Sequence, residues 1–333
     1  MTSHLIFITG ATGFIGSATA LEALRAGYRL RISVRKEPQV TKLKTVLSEF
    51  ADKLEFVIIP DITDRDAFSG KLDGVDYILH MASPLPHGIE KDTYFGPAIQ
   101  GTTTILNEAT KVPSIKKAVV TSSIAALLPL TGPPQGGVIN ENNDWDLSVD
   151  ENGDFTGPND AVTAFRLYHA SKLLANNATW EFRERRKPPF AIVTLHPSFV
   201  YGHNLVQTTA SEIKGSTNEM FWNALMTASP ATLPNYVNIG DVAKAHIRAL
   251  DPGVPDGSKY LLAGPSASWK DVSDTLKKYY PNEPFKLSAE AQGKSWPTDT
   301  SKAEKELGIE WRSVQQTVRE LVDQNLRLRG SQL

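Results

Sequence analysis

Three evenly spaced glycines, in Thr9-Gly-Ala-Thr-Gly-Phe-Ile-Gly16, constrain this 333-residue chain more than any other feature. They follow His4–Thr9, an apolar run that reads as a strand, and they open Phe14–Ala26, which reads as a helix. In that setting the first glycine permits a tight turn. The second lets the backbone approach a ligand, and the third lets the helix pack on the strand. The free N–H groups and positive end of the helix then meet an anion, and the spacing points to the pyrophosphate of a dinucleotide. A rival phosphate motif fails: Gly293-Lys294-Ser295 resembles the end of a P-loop, but Ser288 stands where its first glycine must be.

The pattern after the turn repeats the unit. Strands are expected at Arg29–Val34, Leu54–Ile59, Tyr77–Met81, Lys117–Ser122 and Phe190–His196. Between them, helices are expected at Val40–Phe50, Asp64–Leu72, Lys91–Lys111 and Ala161–Arg186. Runs of Val, Ile and Leu separated by helices predict an α/β fold, a doubly wound parallel (Rossmann) sheet covered on both faces. Thr131–Asp160 is crowded with Gly, Pro, Asn and Asp and reads as loop. Beyond residue 202 the pattern loosens. Tyr236–Ile239 with Asp241–Leu250 reads as one more strand and helix, and Glu212–Ala228, Trp269–Tyr280 and Val314–Arg327 as helices. The division expected is a dinucleotide-binding domain over 1–201 and 235–263, with a smaller, mainly C-terminal substrate-binding lobe over 202–234 and 264–333.

Composition excludes several classes. Hydrophobic residues make up 41% and charged ones 22%, which suits a globular chain and argues against disorder. A net charge of −2, from 35 basic and 37 acidic residues, gives no general attraction to nucleic acid or an anionic membrane. With no cysteine there is no thiol nucleophile, disulfide or cysteine zinc site. Leu5–Leu24 lacks the positive flank of a signal peptide and is broken by the glycines. No stretch reaches the length of a membrane span, so a cytoplasmic protein is expected. Asn177-Ala178-Thr179 matches a glycosylation sequon by chance, inside a predicted helix. The histidines, among them His80, His169 and His196, lack the paired spacing of a metal site, and no metal is expected.

Charge indicates which dinucleotide. Where an NAD site places an acid at the end of the second strand, this chain has Arg35, with Lys42 about a helical turn later. Arginine grips a phosphate with two prongs, so NADP is favoured over NAD. Asp61, after the third strand, is either a contact for the adenine amino group or a helix N-cap. Chemistry is suggested by Tyr168-His-Ala-Ser-Lys172, where the i, i+4 spacing puts phenol and ammonium on one helix face. A phenol titrates near pH 10 and is a poor acid–base group at neutral pH, but a neighbouring ammonium favours the phenolate. In Val120-Thr121-Ser122-Ser123, a serine at the strand end is placed to donate to a carbonyl oxygen; Ser122 and Ser123 are both candidates.

Together these residues resemble the extended short-chain dehydrogenase/reductase superfamily, in particular its dihydroflavonol reductase, cinnamoyl-CoA reductase and yeast-type methylglyoxal/ketone reductase branch. Beside the stretches above, the resemblance rests on His80-Met-Ala-Ser-Pro84, Pro97-Ala-Ile-Gln-Gly-Thr102, His196-Pro-Ser-Phe-Val-Tyr-Gly202 and Asn238-Ile-Gly-Asp-Val-Ala-Lys-Ala-His246. It runs through residues 4–263 and is weak beyond them. It implies Tyr168 as proton donor, Lys172 as its activator and a ribose ligand, and Ser123, in preference to Ser122, as the carbonyl polariser. It also implies a cofactor set of Thr9, Gly10, Thr12, Gly13, Phe14, Ile15, Gly16, Arg35, Lys42, Asp61, Ile62, Ala82, Ser83, Thr121, Pro197 and Val200, with Tyr168 and Lys172. In that set Arg35 and Lys42 hold the 2′-phosphate, Asp61 and Ile62 flank adenine, and Pro197 and Val200 lie near the nicotinamide amide. One departure stands out: Gln100 takes the place of an asparagine that often serves a proton relay.

The substrate residues expected are Pro84, Ser123, Tyr168, Tyr201, Phe221 and Trp222, with Trp145 as a further aromatic candidate. His169 lies about 100° around the helix from Tyr168 and is assigned to packing. The function implied is NADPH-dependent reduction of an aldehyde or ketone, such as a keto ester or aryl ketone, by a monomer or homodimer with no nucleic-acid or membrane partner. Two rivals remain: an NAD-dependent nucleotide-sugar epimerase/dehydratase or hydroxysteroid dehydrogenase, and a non-catalytic NADP-sensing regulatory protein.

Overall fold

The computed structural model describes residues 4–83, 88–230, 232 and 234–330. Its strands are β1 (Leu5–Thr9), β2 (Arg29–Val34), β3 (Leu54–Ile58), β4 (Tyr77–His80), β5 (Lys117–Thr121), β6 (Ala191–Pro197), β7 (Val200–Tyr201), β8 (Val237–Asn238) and β9 (Lys259–Leu262). Its helices are α1 (Phe14–Arg25), α2 (Pro38–Val46), α3 (Phe95–Ala109), α4 (Asp160–Arg186), α5 (Thr217–Leu225), α6 (Ile239–Arg248), α7 (Trp269–Tyr279), α8 (Ser301–Leu307) and α9 (Val314–Gly330). Among the described residues seven strands form one parallel sheet in the order β3-β2-β1-β4-β5-β6-β9. The strand order reverses between β1 and β4, which opens a crevice at their C-terminal ends.

Alternation along β1 explains the two layers. Ile6 and Ile8 join an apolar cluster with Ala20 and Leu24 of α1 and Val242 and Ala245 of α6. Leu5 and Phe7 point the other way, to Ile105 and Leu106 of α3 and Phe182 of α4. A third cluster lies off the sheet, where Tyr201, Phe221 and Trp222 meet Trp269, Val272 and Leu276 of α7 and Val318, Leu321 and Val322 of α9. Ala303 and Leu307 of α8 belong to the first cluster, so the chain returns to the sheet between α7 and α9.

Several expected elements are corrected. The helix expected over Asp64–Leu72 is a series of turns. The Asp64 carboxylate accepts from the Asp66 N–H at 2.9 Å, a local bond that competes with the helical ladder. The helix expected over Lys91–Lys111 is a short 3₁₀ turn, Lys91–Thr93, followed by α3. The one expected over Glu212–Ala228 is interrupted at Gly215, which takes φ +74°, and α5 restarts with Ser216 as its cap. The strand expected at Tyr236–Ile239 contributes only β8, which pairs with β7 in a separate two-stranded sheet. The seventh strand of the main sheet is β9, for which the sequence pattern gave no expectation.

Candidate active site

The turn after β1 is built as its glycines suggest. Gly10 takes φ +77°, and a Cβ there would lie 2.7 Å from the Ala82 nitrogen. A Cβ on Gly16 would sit 2.1 Å from the Gly10 carbonyl oxygen, so only glycine lets α1 begin this close to the turn. Gly13 is exposed, and a Cβ there would meet only the Gly10 oxygen, at 3.4 Å. As N-cap of α1 it offers no side chain to the first-turn N–H groups, and no acid stands in that turn. This fits the phosphates of a dinucleotide.

Register brings the other parts to the same edge. Thr9 pairs with His80, His80 with Val120, and Thr121 with Leu195. Ala82–Ser83, Ser122–Ser123 and the segment after Pro197 therefore leave the sheet at the same C-terminal edge as the glycine turn, Ala82–Ser83 from the strand next to it. The α4 pair reaches this edge too: the Lys172 ammonium donates to Ser83 Oγ at 2.9 Å and lies 5.4 Å from the centre of the Tyr168 ring. Ser123 caps the 3₁₀ turn Ile124–Leu127, its Oγ accepting from the Ala125 N–H at 3.2 Å, which leaves the hydroxyl proton free to donate. His169 bonds to the Leu128 carbonyl at 3.0 Å and so fastens α4 to the segment that follows Ser123.

Some expected cofactor residues are turned inward. The Thr9 hydroxyl accepts from the Met81 and Ala82 N–H groups at 3.1 and 3.0 Å and donates to His80 Nδ1 at 3.0 Å. The Thr121 hydroxyl bonds to His246 at 2.7 Å. Both threonines shape the cleft and spend their hydroxyls inside the protein. Arg35 is exposed at the end of β2, and Gln39 Oε1 accepts from its backbone N–H at 2.8 Å. Lys42 is paired with Glu212 at 2.9 Å. Both partners are substantially exposed, so the pair is worth at most about 1 kcal/mol and a phosphate would compete with it. Backbone N–H bonds from Thr208, then Lys42 itself, hold the Glu212 carboxyl down at about 2. Asp61 closes a local turn, accepting from the Thr63 N–H and hydroxyl at 2.8 and 2.7 Å; these bonds hold its carboxyl below the usual range, with Arg35 adding to the effect. Ile62 is buried beside it, and Pro197 and Val200 are buried at the end of β6 and in β7.

Among the aromatic candidates, Tyr201, Phe221 and Trp222 are 5%, 3% and 5% exposed and form the core of the outer cluster. Tyr201 packs at 4.5 Å on Phe221, and burial pushes its phenol up. Trp145 packs with Trp296 against Leu127, Leu128 and Ile139, beside the turn after Ser123. Pro84 lies outside the described residues. Gln100 is corrected: it sits on the exposed side of α3, because Ala98 and Thr102 take the inward positions. The inward space next to Lys172, about 20 Å³ and roughly one water in size, is bordered by His80 and Asn176, whose Nε2 and Oδ1 have no protein partner. Asn176 follows Lys172 by four residues, one turn along the same face of α4. Glu212 carried no signal of its own, since its partner is 170 residues away.

The family model described as the NAD dependent epimerase/dehydratase family matches residues 6–263. The chain is 55% identical to ketoreductase sphI of Aspergillus fumigatus over 331 residues, 98% of each chain. It is 27% identical to aldehyde reductase 2 of Sporidiobolus salmonicolor, over 96% of this chain and 95% of that one. Among solved structures, Gre2 of Candida albicans, in complex with NADPH, superposes with a TM-score of 0.83 at 25% identity, covering 98% of this chain and 99% of that one. The match over residues 6–263 and the 55% identity over almost the whole length show that the chain belongs to the NAD dependent epimerase/dehydratase family, the extended short-chain dehydrogenases/reductases.

Proposed function

We propose that the protein is an NADPH-dependent carbonyl reductase. The observation that carries this reading is the bond from Lys172 to Ser83, which draws the α4 pair onto the sheet edge where the glycine cradle also opens. The names of the relatives, a ketoreductase and an aldehyde reductase, support the same reaction class. When bound, the reduced nicotinamide supplies the hydride. Tyr168 gives its hydroxyl proton to the substrate oxygen, and Lys172 holds the charge left on the phenolate. Ser123 donates a hydrogen bond to the same oxygen as negative charge builds there. Arg35, with Lys42 once it is released from Glu212, holds the 2′-phosphate. The lobe that shapes the substrate pocket is built from segments of 202–234 and 264–333, with α8 left on the sheet.

The test is NADPH consumption at 340 nm with a panel of aldehydes, keto esters and aryl ketones, with chiral analysis of the products. Reduction of members of this panel is expected. No consumption with any of them would remove the reductase assignment and favour an NADP-sensing role. Arg35→Asp should weaken NADPH binding far more than NADH binding, measured by fluorescence titration of each. An unchanged preference would place the 2′-phosphate elsewhere and revive the NAD-dependent epimerase/dehydratase reading.

A further inference from the structure

Buried histidines brace the end of β5 from both sides. His246, on α6, bonds through Nδ1 to the Val242 carbonyl at 2.8 Å, so its Nε2 accepts from the Thr121 hydroxyl. His196, on β6, is fully buried. Its Nδ1 lies 3.1 Å from the Ser123 carbonyl oxygen and its Nε2 2.8 Å from Thr194 Oγ1. A carbonyl only accepts, so Nδ1 carries the proton and Nε2 takes the Thr194 hydroxyl proton. The Ser123 carbonyl also accepts the Ala126 N–H at 2.9 Å. Ser123 is thus gripped by its backbone oxygen while its side chain stays available.

We propose that His196 is a positioning residue for Ser123: a neutral imidazole that fixes the serine backbone, and with it the direction in which the hydroxyl donates. This role rests on the catalytic reading of Ser123 given above. Two substitutions separate it from simple packing. His196→Asn keeps an N–H close to the Nδ1 position, whereas His196→Gln places its amide near Nε2 and loses the bond to Ser123. Asparagine is one methylene smaller and leaves the larger void in this buried site, so a packing role alone would make it the more damaging of the two. The glutamine variant should lose about tenfold in kcat with KM little changed, and the asparagine variant should stay within about threefold of the parent.

In a Ser123→Ala background the difference between the two should vanish, because the group being positioned is gone. A difference that persists there, or equal losses in the Ser123-containing protein, overturns the role. Should Ser123→Ala alone leave turnover unchanged, the assignment of Ser123 fails first, and this role with it. If the glutamine variant does not fold, Thr194→Val, of nearly equal volume, serves instead. It should cost a few-fold in kcat only while Ser123 is present, and an equal cost without Ser123 overturns the role. Independently of turnover, ring ¹⁵N NMR at pH 7 should show His196 neutral with its proton on Nδ1. A proton on Nε2 would overturn the proposal.

Discussion

Tyr168→Phe should lower kcat by about 10²–10⁴-fold, the usual loss when a positioned acid is removed, while NADPH affinity changes little. The argument is geometric. Phenylalanine keeps the ring, which packs beside Tyr94, Phe95 and Leu167, so the helix and the cleft survive. Lys172 keeps its bond to Ser83. Only the proton that the substrate oxygen requires is lost. Single-turnover measurements with saturating NADPH isolate this step, and turnover retained within tenfold would take Tyr168 out of the role. Ser122→Ala beside Ser123→Ala checks the register at the end of β5. The loss expected for Ser123 is on the order of 10²–10³, as for one oxyanion donor.

The protein should lose stability steeply between pH 6.5 and 4. Burial lowers His80 to about 4, with Lys172 adding to the effect; it also lowers His196 to about 3 and His246 to about 4. Unfolded, each titrates near 6.5. In the window between these values the unfolded chain binds more protons than the folded one, so stability is complete above pH 6.5 and falls as pH falls. Each histidine contributes roughly 2 kcal/mol at pH 5, and the three together are on the order of 5 kcal/mol, comparable with the stability of a whole domain. Glu141 and Asp241, raised by burial, oppose this trend. Each is also held as an anion, by the Leu261 N–H at 2.6 Å and by Arg312, so the histidines set the sign. Urea unfolding at pH 7.5 and 5.0 measures the difference, and His246→Gln should flatten the dependence. Equal midpoints at the two pH values would show that the imidazoles are charged or solvated in the folded state.

Legibility followed sequence distance. The glycine turn, six of the seven sheet strands and the Tyr168–Lys172 pair lie in short contiguous stretches whose periodicity or spacing carries the signal, and their positions agree with the structure to within a residue or two. The residues that could be named but not oriented are those whose partners lie far along the chain. Thr9 and Thr121 look like ligand contacts until His80 and His246, 71 and 125 residues away, take up their hydroxyls. Lys42 looks free until Glu212 meets it. Tyr201, Phe221 and Trp222 have the composition of a pocket wall, and only α7 and α9, packing over them, make them core.

Local covalent order was sufficient for the sheet class, the phosphate turn and the spacing of the phenol–ammonium pair, because backbone freedom at glycine and the helical repeat act within a few residues. Which faces point inward, which hydroxyls remain free to act, and which histidines are shut away from water were decided by long-range packing. Burial and the choice of hydrogen-bond partner belong to the assembled core, where water no longer competes, and have no value along an isolated strand or helix.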